Sequence, residues 1–160
     1  YTLILMLFTG ESERSIDEKL RISIPSDMRS GFATGPAPNI VYAAPGPNAA
    51  IWLWPEQTFV NMAMSFEQSL LPDEDVMDFE QVLFSQSRRI ELDKAGRIRL
   101  PDALLTLAGI SKQAVILGVR DHLELRDPES WNQMREEKLS KLKEIMLRAR
   151  KQGRSHGEGA

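Results

Sequence analysis

Asp93, Lys94, Gly96 and Arg97 place a carboxylate, an ammonium and a guanidinium within one five-residue turn. Arg88 and Arg89 precede it and Arg99 follows, so residues 85–101 hold five basic side chains against Glu91 and Asp93. This set suits the recognition of an anion. An arginine projecting from a rigid turn offers a planar fork of donors that fits a phosphate or the edge of a guanine. Spacing alone leaves another reading open, in which Arg97 is a solvated strand residue paired with Asp93. Asp93 itself reads as structural, because an aspartate at a turn accepts backbone amides or fixes a nearby arginine.

The elements that hold this turn are written in the alternation around it. Ile90, Leu92, Ile98 and Leu100 alternate with polar residues on either side of Asp93–Gly96, which predicts two short amphipathic strands forming a hairpin-like unit. The same pattern occurs 76 positions earlier. Ile16, Asp17, Arg21, Ile22, Ile24 and Pro25 fall on Leu92, Asp93, Arg97, Ile98, Leu100 and Pro101. A second echo follows at an offset of 72, where Ile51-Trp52-Leu53-Trp54-Pro55 and Phe59 fall on Leu123–Asp127 and Trp131. The chain is therefore a tandem repeat whose first copy is four residues longer, with the surplus in the Pro/Gly-rich loops around residues 35–38 and 44–48.

Further elements follow from periodicity. Two β-rich runs, 39–43 and 50–54, predict a second strand pair in the first copy; 114–119 and 122–126 predict its counterpart. Trp52 and Trp54 share one strand face, suited to packing on a helix or to stacking on nucleic-acid bases. Phe59, Met62, Phe66 and Leu70 predict a helix over 56–70, stopped by Leu71-Pro72. Asp73-Glu74-Asp75 opens another, with Val76, Phe79, Val82 and Leu83 as its stripe. Ser26 and Asp102 are candidate caps of two short helices, the second ended by Gly109. Asp127-Pro128 begins a final helix with Trp131, Met134, Leu142, Ile145 and Ala149 on its apolar side, and residues 151–160 are expected to form a disordered tail.

Composition narrows the function classes. With 42% hydrophobic residues in 160 positions, the chain can bury a real core. It has no cysteine, which removes disulfides and thiolate metal sites and fits a reducing cytoplasm. The apolar run at residues 3–8 is far shorter than the roughly 18 residues of a membrane span and reads as a strand or an extension. His122 and His156, the two histidines, lie in no recognisable metal or nucleophile constellation, so no catalytic residue, metal or cofactor is expected. Net charge is −3, but residues 1–84 hold 4 Lys/Arg against 12 Asp/Glu, a net of −8. Residues 85–160 hold 16 against 11, a net of +5, and form the half suited to phosphate.

On these motifs the chain resembles the MraZ family of bacterial transcriptional regulators, whose halves each carry an Asp-x-x-Gly-Arg turn and a strand closing in Pro. The resemblance runs from about Met6 to about Leu147 and sets Tyr1 to Leu5 upstream of the family's usual start. Asp93–Arg97 fits the turn; Asp17–Arg21 departs from it, with Leu20 where the family has Gly. If that position needs positive φ, the first turn must be strained or rebuilt. The resemblance implies an α+β fold of two AbrB-like halves, residues 6–84 and 85–150, forming one pseudo-two-fold double-ψ or swapped-hairpin-like β-barrel with flanking helices. It implies a cytoplasmic, nucleoid-associated repressor of the division and cell-wall gene cluster, binding direct promoter repeats in double-stranded DNA as a ring-like homo-oligomer. No membrane or small-molecule partner is expected. By this match Lys19, Arg21, Lys94 and Arg97 are the expected DNA contacts, with Arg88, Arg89 and Arg99 added by charge density and Asp17, Asp93 and Gly96 shaping the turns. The alternative is a protein-interaction module, such as an AbrB-like antitoxin that binds a toxin as well as DNA.

Overall fold

The computed structural model describes residues 7–66, 70 and 73–157, in two compact units that divide after Pro128. In the first unit the expected alternation becomes β1 (Glu11–Ser15) and β2 (Arg21–Ser23), followed by α1 (Ser26–Arg29) and a 3-10 turn at Ser30–Phe32. The long strands β3 (Ile40–Gly46) and β4 (Ala50–Pro55) then lead into α2 (Glu56–Met64) and α3 (Glu74–Gln86). The second copy repeats the order with β5 (Arg88–Glu91), β6 (Arg97–Arg99), α4 (Asp102–Ala108), β7 (Gln113–Val119) and β8 (His122–Arg126).

The strands form a six-stranded antiparallel sheet, β1-β7-β8-β4-β3-β5, and a separate two-stranded ribbon of β2 and β6. Exchange each strand for its counterpart in the other copy, and the sheet order reverses onto itself. The registers carry the same relation: Ile22 faces Ile98, its counterpart at offset 76, and Trp52 faces Glu124, its counterpart at offset 72.

This arrangement corrects two expectations. The strands flanking each Asp turn do not form a hairpin, since β1 and β2 meet only at the Ile16–Ile22 bridge before separating to β7 and β6. Pairing with the other copy closes Ile22 and Ile98 to 0% and 1% exposure, burial that a local two-stranded hairpin does not provide. Nor is the sheet a closed barrel: β1 and β5 remain at opposite edges, and β2 and β6 pair with each other outside it.

The core lies between the ribbon and one face of the sheet. Ile22, Ile24, Ile98, Leu100 and Leu104 pack with Ile51, Leu53, Ile116, Leu123 and Leu125, all at or below 1% exposure, so both copies build one interior. Each fully buried branched side chain contributes about 1.5–3 kcal/mol. The opposite sheet face carries a smaller cluster of Ala44, Trp54, Phe59 and Leu83, with Tyr42 stacked on Phe59 at 4.5 Å between centroids.

Several boundaries differ from the sequence reading. Pro25 and Pro101, held extended by their rings, take the cap positions, and Ser26 and Asp102 become first helical residues with no side-chain cap bond. Gly109 ends α4 in the left-handed conformation, φ 65°, as its placement predicts. Asp73 caps α3, accepting from the Asp75 amide. Helix α2 stops at Met64 rather than Leu70, and the stop expected at Leu71-Pro72 lies outside the described residues. So does most of the apolar run at residues 3–8; Phe8, at its end, is buried and bridges to Arg120.

The second unit is a helix pair, α5 (Pro128–Ser140) and α6 (Leu142–Gly157), in place of one continuous helix. Within it Met134 and Ile145 line a common groove with Glu137, Lys138, Lys141 and Arg148, while Leu142, Met146 and Leu147 are exposed. Helix α6 continues to Gly157, into the stretch expected to be a disordered tail.

Candidate nucleic-acid interface

The two Asp turns have one construction. Asp17 Oδ1 accepts from the Lys19 and Arg21 amides at 3.0 and 2.8 Å, and Oδ2 from Arg21 Nε at 2.8 Å. Asp93 Oδ1 accepts from the Ala95 and Arg97 amides at 2.9 Å each, and Oδ2 from Arg97 Nε at 3.0 Å. In each case the arginine's amide does most to hold the carboxyl below its ordinary value of 3.8; the guanidinium adds to this. Exposed ion pairs of this kind stabilise a fold little. What they supply is aim: the carboxylate engages Nε and leaves the Nη nitrogens to reach an outside acceptor.

These arginines stand on the ribbon. Cross-strand partners share a face, and Ile22 and Ile98 take the face toward the core. The other face therefore carries Arg21 opposite Arg99 and Ser23 opposite Arg97. Lys19 and Lys94 are exposed in the turns that enter the two strands. The expected residues Arg21, Arg97 and Arg99 are thus gathered on one small ribbon with Lys19 and Lys94 in the turns that enter it, although Arg21 and Arg97 lie 76 residues apart in the chain.

Arg88 and Arg89 are not part of that group. They lie in β5 at the sheet edge, opposite Ala43 and Tyr42. Arg88 donates to the Ser85 and Ser87 carbonyls, and Arg89 pairs with Glu56 of α2 at 2.8 Å. Charge density along the chain drew them to the turn; strand pairing takes them elsewhere.

Arg29 is the residue that linear reading missed. Its Nη1 donates to the Ala95 carbonyl at 3.2 Å, across 66 residues, and its side chain lies over the Gly96 turn. Nothing local to Arg29 signals this. The one clue is that Gly96 has no side chain to keep another out.

Residues 83–154 match a family model described as "MraZ protein, putative antitoxin-like". A transcriptional regulator MraZ from Mycoplasmoides gallisepticum is 32% identical over 139 residues, covering 87% of this chain and 94% of that protein. Others are 28% identical over 140 residues (Mesoplasma florum; 88% and 93% covered) and 30% over 139 residues (Natranaerobius thermophilus; 87% and 94% covered). The chain belongs to the MraZ family. The MraZ likeness extends into both repeat copies, since 139 or 140 aligned residues cannot be held by either copy alone.

Other polar residues of this MraZ-family chain meet away from the ribbon. His122, 9% exposed, stacks on Trp54 at 4.3 Å, with Nδ1 3.0 Å from Asp121 Oδ1 and Nε2 3.3 Å from Glu124 Oε1. Burial opposes its charge, but the Glu124 and Asp121 carboxylates outweigh that and raise its pKa above 6.5. Glu124 also binds Arg126, whose Nη1 donates to the Asn48 carbonyl at 2.6 Å. The cluster ties the β3–β4 turn to β8. Trp52 and Trp54 are its aromatic wall, packed edge to face at 5.6 Å, which is a core role rather than base stacking.

Proposed function

We propose that this protein is a DNA-binding transcriptional regulator whose β2–β6 ribbon enters the major groove of double-stranded DNA. One observation carries the reading: three arginines, Arg21, Arg97 and Arg99, share the outer face of a two-stranded ribbon, two of them aimed by aspartates. A B-form major groove is about 12 Å wide and admits such a ribbon, and an arginine fork meets the O6 and N7 acceptors of guanine there. Lys19 and Lys94 flank the ribbon as phosphate contacts. The relatives' printed name, transcriptional regulator, supports the regulatory part of this reading.

A ribbon with three arginines gives one subunit modest affinity, since each good bidentate contact discriminates by about 1–3 kcal/mol. Specific regulators bind at about 10⁻⁸–10⁻¹¹ M, so several linked subunits on several repeats are required. The surfaces offer a means of assembly. Residues 56–86 contain seven acids and no Lys or Arg, and α3 exposes Val76, Phe79 and Val82. The second unit exposes Leu142, Met146 and Leu147 among Lys143, Arg148 and Arg150. We infer a head-to-tail homo-oligomer in which the basic unit of one copy meets the acidic helices of the next, closing as a ring. The family resemblance further suggests two AbrB-like halves, direct promoter repeats ahead of the division and cell-wall genes as target, a repressive effect, and a cytoplasmic, nucleoid-associated place.

An electrophoretic shift with the duplex upstream of the chain's own coding region, against random competitor, tests the reading. Retarded, competitor-resistant complexes that Arg97→Ala abolishes are expected. Equal affinity for the two duplexes, or native binding by the variant, refutes it.

A further inference from the structure

The two ends of the ribbon differ in a way that the repeat makes visible. At the Gly96 end a Cβ would stand 1.8 Å from Arg29 Nη1 and 2.5 Å from Arg29 Cδ, so only glycine leaves the guanidinium its place. Arg29, Lys94 and Ser26 line one surface groove there, with Asn39 and Asp93. The Asp93 oxygens are already engaged by the Ala95 and Arg97 amides and by Arg97 Nε. Arg29 gives one bond, to Ala95 O, from a group with five N–H donors.

Moved by 76 positions, Ser26, Arg29 and Lys94 become Asp102, Leu105 and Glu18. Gly96 becomes Leu20. Every one of the three changes removes affinity for an anion: a hydroxyl gives way to a carboxylate, a guanidinium to a leucine that is 3% exposed, and an ammonium to a carboxylate. The ribbon core is duplicated, but at these three flanking positions the Gly96 end is basic and the Leu20 end is not, its single Lys19 having Ala95 as counterpart.

We propose that Arg29, with Lys94 beside it, seats one backbone phosphate of the bound duplex at the Gly96 end of the ribbon, and that the Leu20 end has no such seat. This rests on the ribbon reading above. Arg29 is a positioning residue: a phosphate contact fixes how the ribbon lies in the groove without reading sequence, and it releases counterions on binding.

The test uses the full chain and titrates the upstream duplex and a random duplex between 50 and 200 mM salt. Arg29→Met keeps a hydrocarbon stem over Gly96 without charge; Arg29→Lys keeps the charge. Arg29→Met is expected to weaken both duplexes by the same factor and to flatten the dependence of log K on log salt by about 1 per engaged subunit, with the melting temperature held. Arg29→Lys should restore the slope. An unchanged slope in Arg29→Met, or no rescue by lysine, overturns the phosphate seat and leaves Arg29 as a brace for the turn. Arg97→Ala in parallel separates the two ideas. If it loses discrimination between the duplexes while Arg29→Met keeps the native slope, only the phosphate seat falls; if Arg97→Ala binds as the native chain does, the ribbon reading falls and the seat with it.

Discussion

Leu20 and Gly96 hold the same backbone conformation, φ 61° and φ 75°, at equivalent turns of the two copies. Each also gives its carbonyl to the other copy: Leu100 N donates to Leu20 O at 2.8 Å and Ile24 N to Gly96 O at 2.9 Å. The first turn has therefore not been rebuilt around leucine. It keeps the left-handed geometry at a strain of about 1–2 kcal/mol, offset by packing of the half-buried Leu20 against the core. Thermal unfolding of two variants separates these terms. Leu20→Ala loses packing and keeps the strain, whereas Leu20→Gly loses packing and relieves it, so Gly should be more stable than Ala by about 1 kcal/mol. In ordinary strand or helix backbone the order is the reverse.

The turn aspartates should matter to binding more than to folding. Asp93→Asn keeps an acceptor but weakens the hold on Arg97 Nε, so titration of the upstream duplex should show weaker binding with little change in melting temperature. Arg97→Ala should cost about 1–3 kcal/mol per engaged subunit, and Arg21→Ala less, because Glu18 rather than Lys94 stands beside Arg21's turn. Equal losses from the two arginine variants would contradict this asymmetry.

His122 gives the fold a pH dependence with a definite sign. Its folded pKa lies above 6.5, so the stabilisation is complete below 6.5 and is lost as pH rises through the folded value. The excess melting temperature of the native chain over His122→Gln should shrink as pH rises above 6.5. A constant or growing excess would show that His122 is neutral throughout.

Association should respond to salt. If acidic α2–α3 of one copy meets the basic second unit of another, sizing chromatography at high salt should give smaller species than at low salt. Phe79→Asp, placing another carboxylate in an exposed apolar stripe, should dissociate the oligomer at any salt. An oligomer unchanged by both would place the interface elsewhere.

The local parts of this account are legible in the sequence. An aspartate four residues before an arginine, repeated at an offset of 76, specifies the turn, and the Gly96/Leu20 mismatch marks the left-handed position before any coordinates. Pairing partners are not legible in this way, because period-two alternation in Ile16–Ile24 fits a local hairpin as well as the exchange that joins β2 to β6. Arg29 and the Asp121–His122–Glu124 cluster escaped for a related reason. Their environments are made by contacts across 66 residues for Arg29 and, for His122, by the burial of its ring against Trp54. The break at Lys141 leaves no signature either, since Leu139 to Ile145 contains neither Gly nor Pro.

The claim that the ribbon reads guanine in the major groove is tested most directly by replacing single guanines of the upstream duplex with 7-deazaguanine, which removes the N7 acceptor and leaves pairing and phosphates intact. A weakening of about 1–3 kcal/mol at one or two guanines per bound ribbon is expected, together with loss of that sensitivity in Arg97→Ala. Native affinity at every substituted position, with binding still salt-dependent, would mean that the arginines hold only phosphate and that sequence is read by another part of the molecule.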